Sequence, residues 1–85
     1  MSIFYSGEVN LPASTATKLV DSAEVNRQVH LVYPPSFLGF TSGEVTGRNS
    51  SYPAALTDLV LPAGKELWGY GSATYVQVLV TAIGR

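Results

Sequence analysis

From Tyr75 to Ala82 the chain alternates with a period of two. Val76, Val78, Val80 and Ala82 fall on one side, and Tyr75, Gln77, Leu79 and Thr81 on the other. That is the side-chain period of a β-strand with one face turned to a core. The alternation recurs over residues 27–33, where Val29, Leu31 and Tyr33 share one parity and Gln28, His30 and Val32 the other. No segment sustains the 3.6-residue period of an amphipathic helix. The apolar residues come instead in short runs cut by proline and glycine. Pro34-Pro35 closes one such run, because proline cannot donate to a sheet ladder. Pro62-Ala63-Gly64-Lys65 reads as a type II turn, with proline at the second position and glycine at the third.

Read this way, strands are expected over residues 2–9, 14–20, 27–33, 56–61, 66–71 and 75–82, with a short aromatic strand over 37–40. Residues 21–26 form a loop or a single helical turn, and Gly71-Ser72-Ala73 turns the chain back. Thr41 to Pro53, the most polar stretch, reads as a long loop with room for a short strand at Glu44-Val45-Thr46. About seven or eight short, mainly antiparallel strands, with turn signals roughly every 8–12 residues, predict an all-β fold. A small β-sandwich or barrel, jelly-roll-like, is the expected architecture. The 85 residues make one domain, 1–85, with residues 1–12 and loop 41–53 as candidate contact arms.

A domain of this size buries only ~60–65% of the surface its unfolded chain exposes, so its core alone is marginal. Small scaffolds gain further support from disulfides, metals or oligomerisation. The chain has no cysteine and one histidine, which removes disulfides, thiolate metal sites and multi-histidine sites. Self-association or assembly onto a partner remains. Hydrophobic residues make up 46% of the chain and charged residues 13%, against ~25% charged in typical domains. Some apolar side chains must therefore lie on the surface, where contiguous patches mark interfaces. The net charge is −1, and Lys18, Arg27, Arg48, Lys65 and Arg85 are scattered. No concentrated basic stripe is present for nucleic acid. The start, MSIFYSGEV, has neither a basic region nor a long apolar one, so no secretory signal is expected and synthesis is placed in the cytoplasm. The apolar stretch near Val76 to Ile83 is too short to span a membrane.

Chemistry-bearing residues are sparse. A nucleophilic site needs a serine or cysteine beside a histidine oriented by an acid. Only His30 could be the base, and it sits between Val29 and Leu31 on an expected strand. Ser36, Ser50 and Ser51 lack a nucleophile-elbow setting. The six acidic residues are scattered, and no calcium loop is present. Gly69-Tyr70-Gly71 has no following helix on which to seat a phosphate. The sequon Asn49-Ser50-Ser51 has no secretory context. The chain is thus expected to be no enzyme, with no cofactor, metal or small-molecule substrate. Aromatic residues carry more weight. Trp68 and Tyr70 share a parity, as do Tyr75 and Leu79, and a hairpin of their strands would join the four in one patch. With Phe37 and Phe40 these are the candidate interface residues. The patch has three readings: core of a second sheet, a subunit interface, or a platform for sugar rings.

Three segments carry a resemblance. They are Arg27-Gln28-Val29-His30-Leu31-Val32-Tyr33, Leu59 to Ala73 (LVLPAGKELWGYGSA) and Val76-Gln77-Val78-Leu79-Val80-Thr81. Over residues 27–82 the chain resembles small all-β virion structural proteins of tailed bacteriophages, in which an L-P-A-G-x-x-L-W/Y segment leads through a small-residue turn to a final V-x-V-L-V-T strand. The resemblance implies a capsid decoration, stabilisation or minor capsid protein on the virion surface. Its implied partners are the major capsid protein and copies of itself, commonly as a trimer. A tail or head–tail component and a carbohydrate-binding β-sandwich are the alternatives. The motifs concern packing and turns, so no functional residue carries over.

Overall fold

The computed structural model describes residues 2–12, 15–52, 56–71 and 75–84. Among them run β1 (Ser2–Asn10), β2 (Thr17–Val20), β3 (Asn26–Val32), β4 (Phe37–Gly39), α1 (Ser42–Thr46), β5 (Asp58–Leu61), β6 (Leu67–Tyr70) and β7 (Tyr75–Gly84). The strands form two antiparallel sheets, one of order β1-β7-β3-β5 and one of order β2-β6-β4. The fold is all-β, as the alternation predicts. Residue 14 of the expected second strand, Pro53 of the expected 41–53 loop, and Ser72 and Ala73 of the expected last turn lie outside the described residues. The strand expected over residues 2–9 is β1, paired with β7 from Ser2↔Ala82 to Asn10↔Tyr75.

The two sheets share one core. β3 and β7 lie at the centre of the larger sheet and set Val29 opposite Val80 and Leu31 opposite Val78. All four are essentially without solvent contact. Leu59 and Leu61 of β5 join them, and Leu19, Val20, Leu38 and Leu67 come from the smaller sheet. Each such side chain, fully buried, contributes about 1.5–3 kcal/mol. On β7 the parity read from sequence holds: Val76, Val78 and Val80 are buried while Gln77 and Leu79 are exposed. The 62–65 turn closes with Lys65 N–H donating to Pro62 carbonyl. Pro62 is thus its first residue rather than its second. Gly64 takes the third position at φ +83°, in the left-handed region that glycine enters without strain.

Arg27 departs from the sequence expectation most sharply. It belongs to the parity of Val29 and Leu31 and has no solvent exposure. Its guanidinium meets backbone carbonyls rather than a carboxylate. Nε donates to Val25, Nη1 to Asp21, and Nη2 to both Pro62 and Lys65. One side chain therefore ties the β2–β3 loop to the β5–β6 turn. Two nearby bonds tie the same segments: Gly64 N–H to Ala23 carbonyl, and Ala63 N–H to Asn26 Oδ1. Desolvation lowers the Arg27 pKa from its usual value, opposed by Tyr52. Guanidinium titrates so high that the charge persists. The carbonyl dipoles stand in for water around it.

The segment read as a loop over 41–53 contains α1. Thr41 is extended and its Oγ1 accepts from Glu44 N–H, which starts the helix. Glu44 Oε1 reaches back to accept from Phe40 N–H, and Oε2 accepts from Ser51 Oγ–H. The sequence Thr41-Ser42-Gly43-Glu44 is thus a variant of the capping box, with the glutamate bonding one residue before the cap. α1 packs on the smaller sheet at Gly39, where an added Cβ would come within 2.6 Å of Glu44 Oε1 and 3.1 Å of Val45 Cγ1. Val45 is fully buried there yet stands outside the main core cluster.

One lateral side of the two-sheet stack is closed. Ser51 N–H donates to Leu38 carbonyl on β4, and Tyr52 Oη–H to Val60 carbonyl on β5, so residues 51–52 bridge the two sheets. Phe40 and Tyr52 meet edge to face at 5.7 Å there, with Lys65 Nζ 5.5 Å from the Phe40 ring centroid. The opposite side, between β1 and β2, holds a cleft of about 420 Å³ whose described lining includes Val9, Leu19, Val20 and Val80.

Candidate docking face

Register fixes what the outer face of the larger sheet presents. Across it, Glu8 lies opposite Gln77 and Gln77 opposite Val32. The next row sets Leu79 opposite His30 and His30 opposite Asp58, and the next Thr81 opposite Gln28 and Gln28 opposite Val60. Ile83 continues the outward parity of β7. Leu79, Ile83 and Val60 keep 38%, 40% and 49% of their surface in solvent. α1 packs on the other sheet, so this face keeps its apolar side chains exposed.

Tyr33 was expected to face the same way as Val29 and Leu31. Its φ of +62° turns the chain out of β3 just before Pro34, and it is 59% exposed. Its ring meets Tyr75 edge to face at 5.4 Å, adding an aromatic rim to the outer face of β7. Near the middle, His30 Nδ1 lies 2.9 Å from Asp58 Oδ1, with both side chains about half exposed. A shallow hollow lined by Gly7, Glu8, His30, Val32, Gln77 and Leu79 separates this pair from β1. The face thus combines aliphatic patches with groups that hydrogen-bond in either direction, the usual make-up of a protein docking surface.

The six residues singled out from sequence fall in three places. Tyr75 and Leu79 lie on this face. Phe37 and Tyr70, with ring centroids 6.4 Å apart, lie on the outer face of the smaller sheet in company with Trp68. Phe40 packs against the core beside Tyr52. The single patch expected from a β6–β7 hairpin does not form. β6 pairs with β2 and β4, β7 pairs with β1 and β3, and the two strands belong to different sheets. Trp68 is further occupied: its Nε1–H donates to Glu66 Oε1, and Glu66 sits 3.5 Å from Lys18 Nζ. Hydrogen bonding and charge from Asp21, then charge from Glu66, raise the Lys18 pKa. Val60, Ile83 and Tyr33 were missed as surface groups. Val60 was legible from Leu59 and Leu61 on either side of it, whereas Tyr33 depended on a backbone turn. Among the described residues no group of three His, Cys, Asp or Glu side chains gathers to hold a metal. No helix among them is long and apolar enough to cross a membrane.

No known protein family, no curated protein and no solved structure matches this chain.

Proposed function

We propose that this chain is a non-enzymatic structural protein of a bacteriophage virion, a capsid decoration or minor capsid protein that binds and stabilises the major capsid lattice. The observation that carries the reading is the outer face of the larger sheet, where Leu79, Val60, Ile83 and Tyr33 stay exposed on a four-stranded antiparallel scaffold. Apolar groups held this way lose little side-chain freedom on docking, so their burial goes mostly into affinity. The L-P-A-G-x-x-L-W segment and the final V-x-V-L-V-T strand supply the virion context. Many identical copies on a lattice turn a modest single contact into tight coverage through avidity.

Co-sedimentation with purified capsids lacking this chain tests the reading, comparing the wild type with Leu79→Lys and Val60→Lys. Both substitutions place a charge on an exposed outer position and leave the core untouched. Saturable pelleting of the wild type, weakened at least tenfold in both variants at unchanged melting temperature, is the expected result. Equal pelleting of all three would remove the face from the account, and no pelleting of the wild type would remove the capsid. A tail or head–tail position is the nearest alternative, and pelleting with tails instead of capsids would select it. The half-buried Trp68 beside Tyr70 and Phe37 favours a second reading, a sugar platform. A shift of tryptophan emission on adding a glycan would support it.

A further inference from the structure

The long free edge and the open side of the fold coincide. Four strands are sheet edges: β1, β5, β2 and β4. β5, β2 and β4 have four, four and three residues, and β5 runs directly into Pro62. Short strands and prolines are ordinary means of blunting an edge. β1 has nine residues and pairs without a register shift from Tyr5↔Val80 to Asn10↔Tyr75. It contains no proline or lysine, and Glu8 is its single charge. Over that run alternate residues turn their N–H and C=O groups away from β7. Directly beneath this edge lies the cleft between the sheets, walled by Val9, Leu19, Val20 and Val80. The far side of the stack is bridged by residues 51–52, whereas on this side Leu11, just past β1, is buried in the core and the cleft lies next to it along β1 and β2.

We infer that the occupant of this side is a second copy of the chain, joined β1 to β1 in antiparallel fashion about a two-fold axis. Identical strands meet antiparallel only through such an axis, and the contact is then self-complementary and closed. The pairing joins two four-stranded sheets into one of eight and leaves neither copy with a long edge. It also lays a partner strand beside the open side of each cleft, with Val9 of one copy opposite position 5 of the other. The rim is self-complementary in charge. Lys18 and Asp21, paired at 2.8 Å, border the cleft, so each copy offers its partner both signs. With the axis at Gly7, Glu8 lies opposite position 6 of the other copy, and two glutamates do not face each other directly, which would be destabilising. The contact leaves the outer face of the larger sheet free and does not depend on the capsid reading. It replaces the threefold arrangement implied by the phage resemblance with a pair.

The absence of cysteine makes the test clean. The wild type is measured by light scattering over a dilution series, and single-cysteine variants Ser6→Cys, Gly7→Cys and Glu8→Cys are oxidised, with Asp58→Cys on the opposite edge as control. Directly opposed residues in antiparallel strands have Cα atoms ~4.5–5.5 Å apart, within disulfide reach. The expected result is a mass of twice 9.0 kDa, falling to the monomer on dilution. Cross-linking should peak at Gly7→Cys and exceed Asp58→Cys at least fivefold. A monomer at every concentration, a trimer, or cross-linking no stronger in β1 than in β5 would overturn the pairing. If Gly7→Cys fails to fold, the Ser6→Cys and Glu8→Cys variants and the wild-type mass still decide it. Pelleting of a strictly monomeric chain with capsids would end this inference and leave the proposed function standing.

Discussion

Arg27 shows how one side chain can organise two loops. An arginine on a core-facing strand position is costly unless its donors are met, since an unpaired buried polar group loses about 1–3 kcal/mol. Here carbonyls of Asp21, Val25, Pro62 and Lys65 meet it. Arg27→Ala should therefore destabilise the fold by on the order of 3–5 kcal/mol, because the cavity and the orphaned carbonyls add. Arg27→Lys keeps the charge but loses the planar fork, and should still cost about 1–3 kcal/mol. Urea unfolding of both variants checks this, and a lysine variant as stable as the wild type would show that the fork is unimportant. The sequence held a partial signal, since Arg27 shares its parity with Val29 and Leu31. What hid the role is that its partners are backbone carbonyls, two of them thirty-five and thirty-eight residues away, and carbonyls have no residue code to read.

The elements that could be read from the chain were those whose period is imposed by one buried face. β3 and β7 lie at the centre of their sheet, so their alternation is strict and was plain in the sequence. α1 was not, because five residues cannot display a helical period and its stability comes from caps and from Val45 against the sheet. The Thr41-Ser42-Gly43-Glu44 spacing was the available signal. Its chemistry predicts a pH response. Hydrogen bonds from Ser51, then from Phe40 and Thr41, hold the Glu44 carboxyl below the usual carboxylate range. A carboxyl depressed in the folded state adds stability that is present above its unfolded pKa and is lost as pH falls through its folded pKa. Acid below the ordinary carboxylate range should thus loosen α1 and the 51–52 bridge first, and Glu44→Gln should flatten that part of the pH profile. Thr41→Ala should cost about 1 kcal/mol at neutral pH. Amide exchange of Glu44 and Ser51 against pH is the measurement, and protection unchanged between neutral and acid pH would refute the role given to the carboxylate. The β6–β7 hairpin was misread for a different reason. Neighbouring strands in sequence usually pair, but β6 and β7 belong to different sheets, and no local pattern marks that change.

At the scale of the whole molecule, the low charge and high apolar content of the sequence now have addresses. One core takes aliphatic residues from both sheets, the far side is bridged by Tyr52 beside Phe40, and other described apolar residues lie on the outer faces of both sheets and along the β1–β2 opening. Surface apolarity was legible from composition, but its placement was not, because that depends on which strands become edges. Under the proposed function and the inferred pairing, the two exposed regions would have different tasks: the open edge would join copies, and the outer face would dock on a lattice. The most direct measurement of the central claim is the protein content of purified phage particles, by quantitative mass spectrometry of virions separated from infected-cell extract. The account predicts that the chain is present in a fixed, reproducible ratio to the major capsid protein and is released by treatments that strip the shell surface. Abundance in the infected-cell extract with none in the purified particles would contradict it.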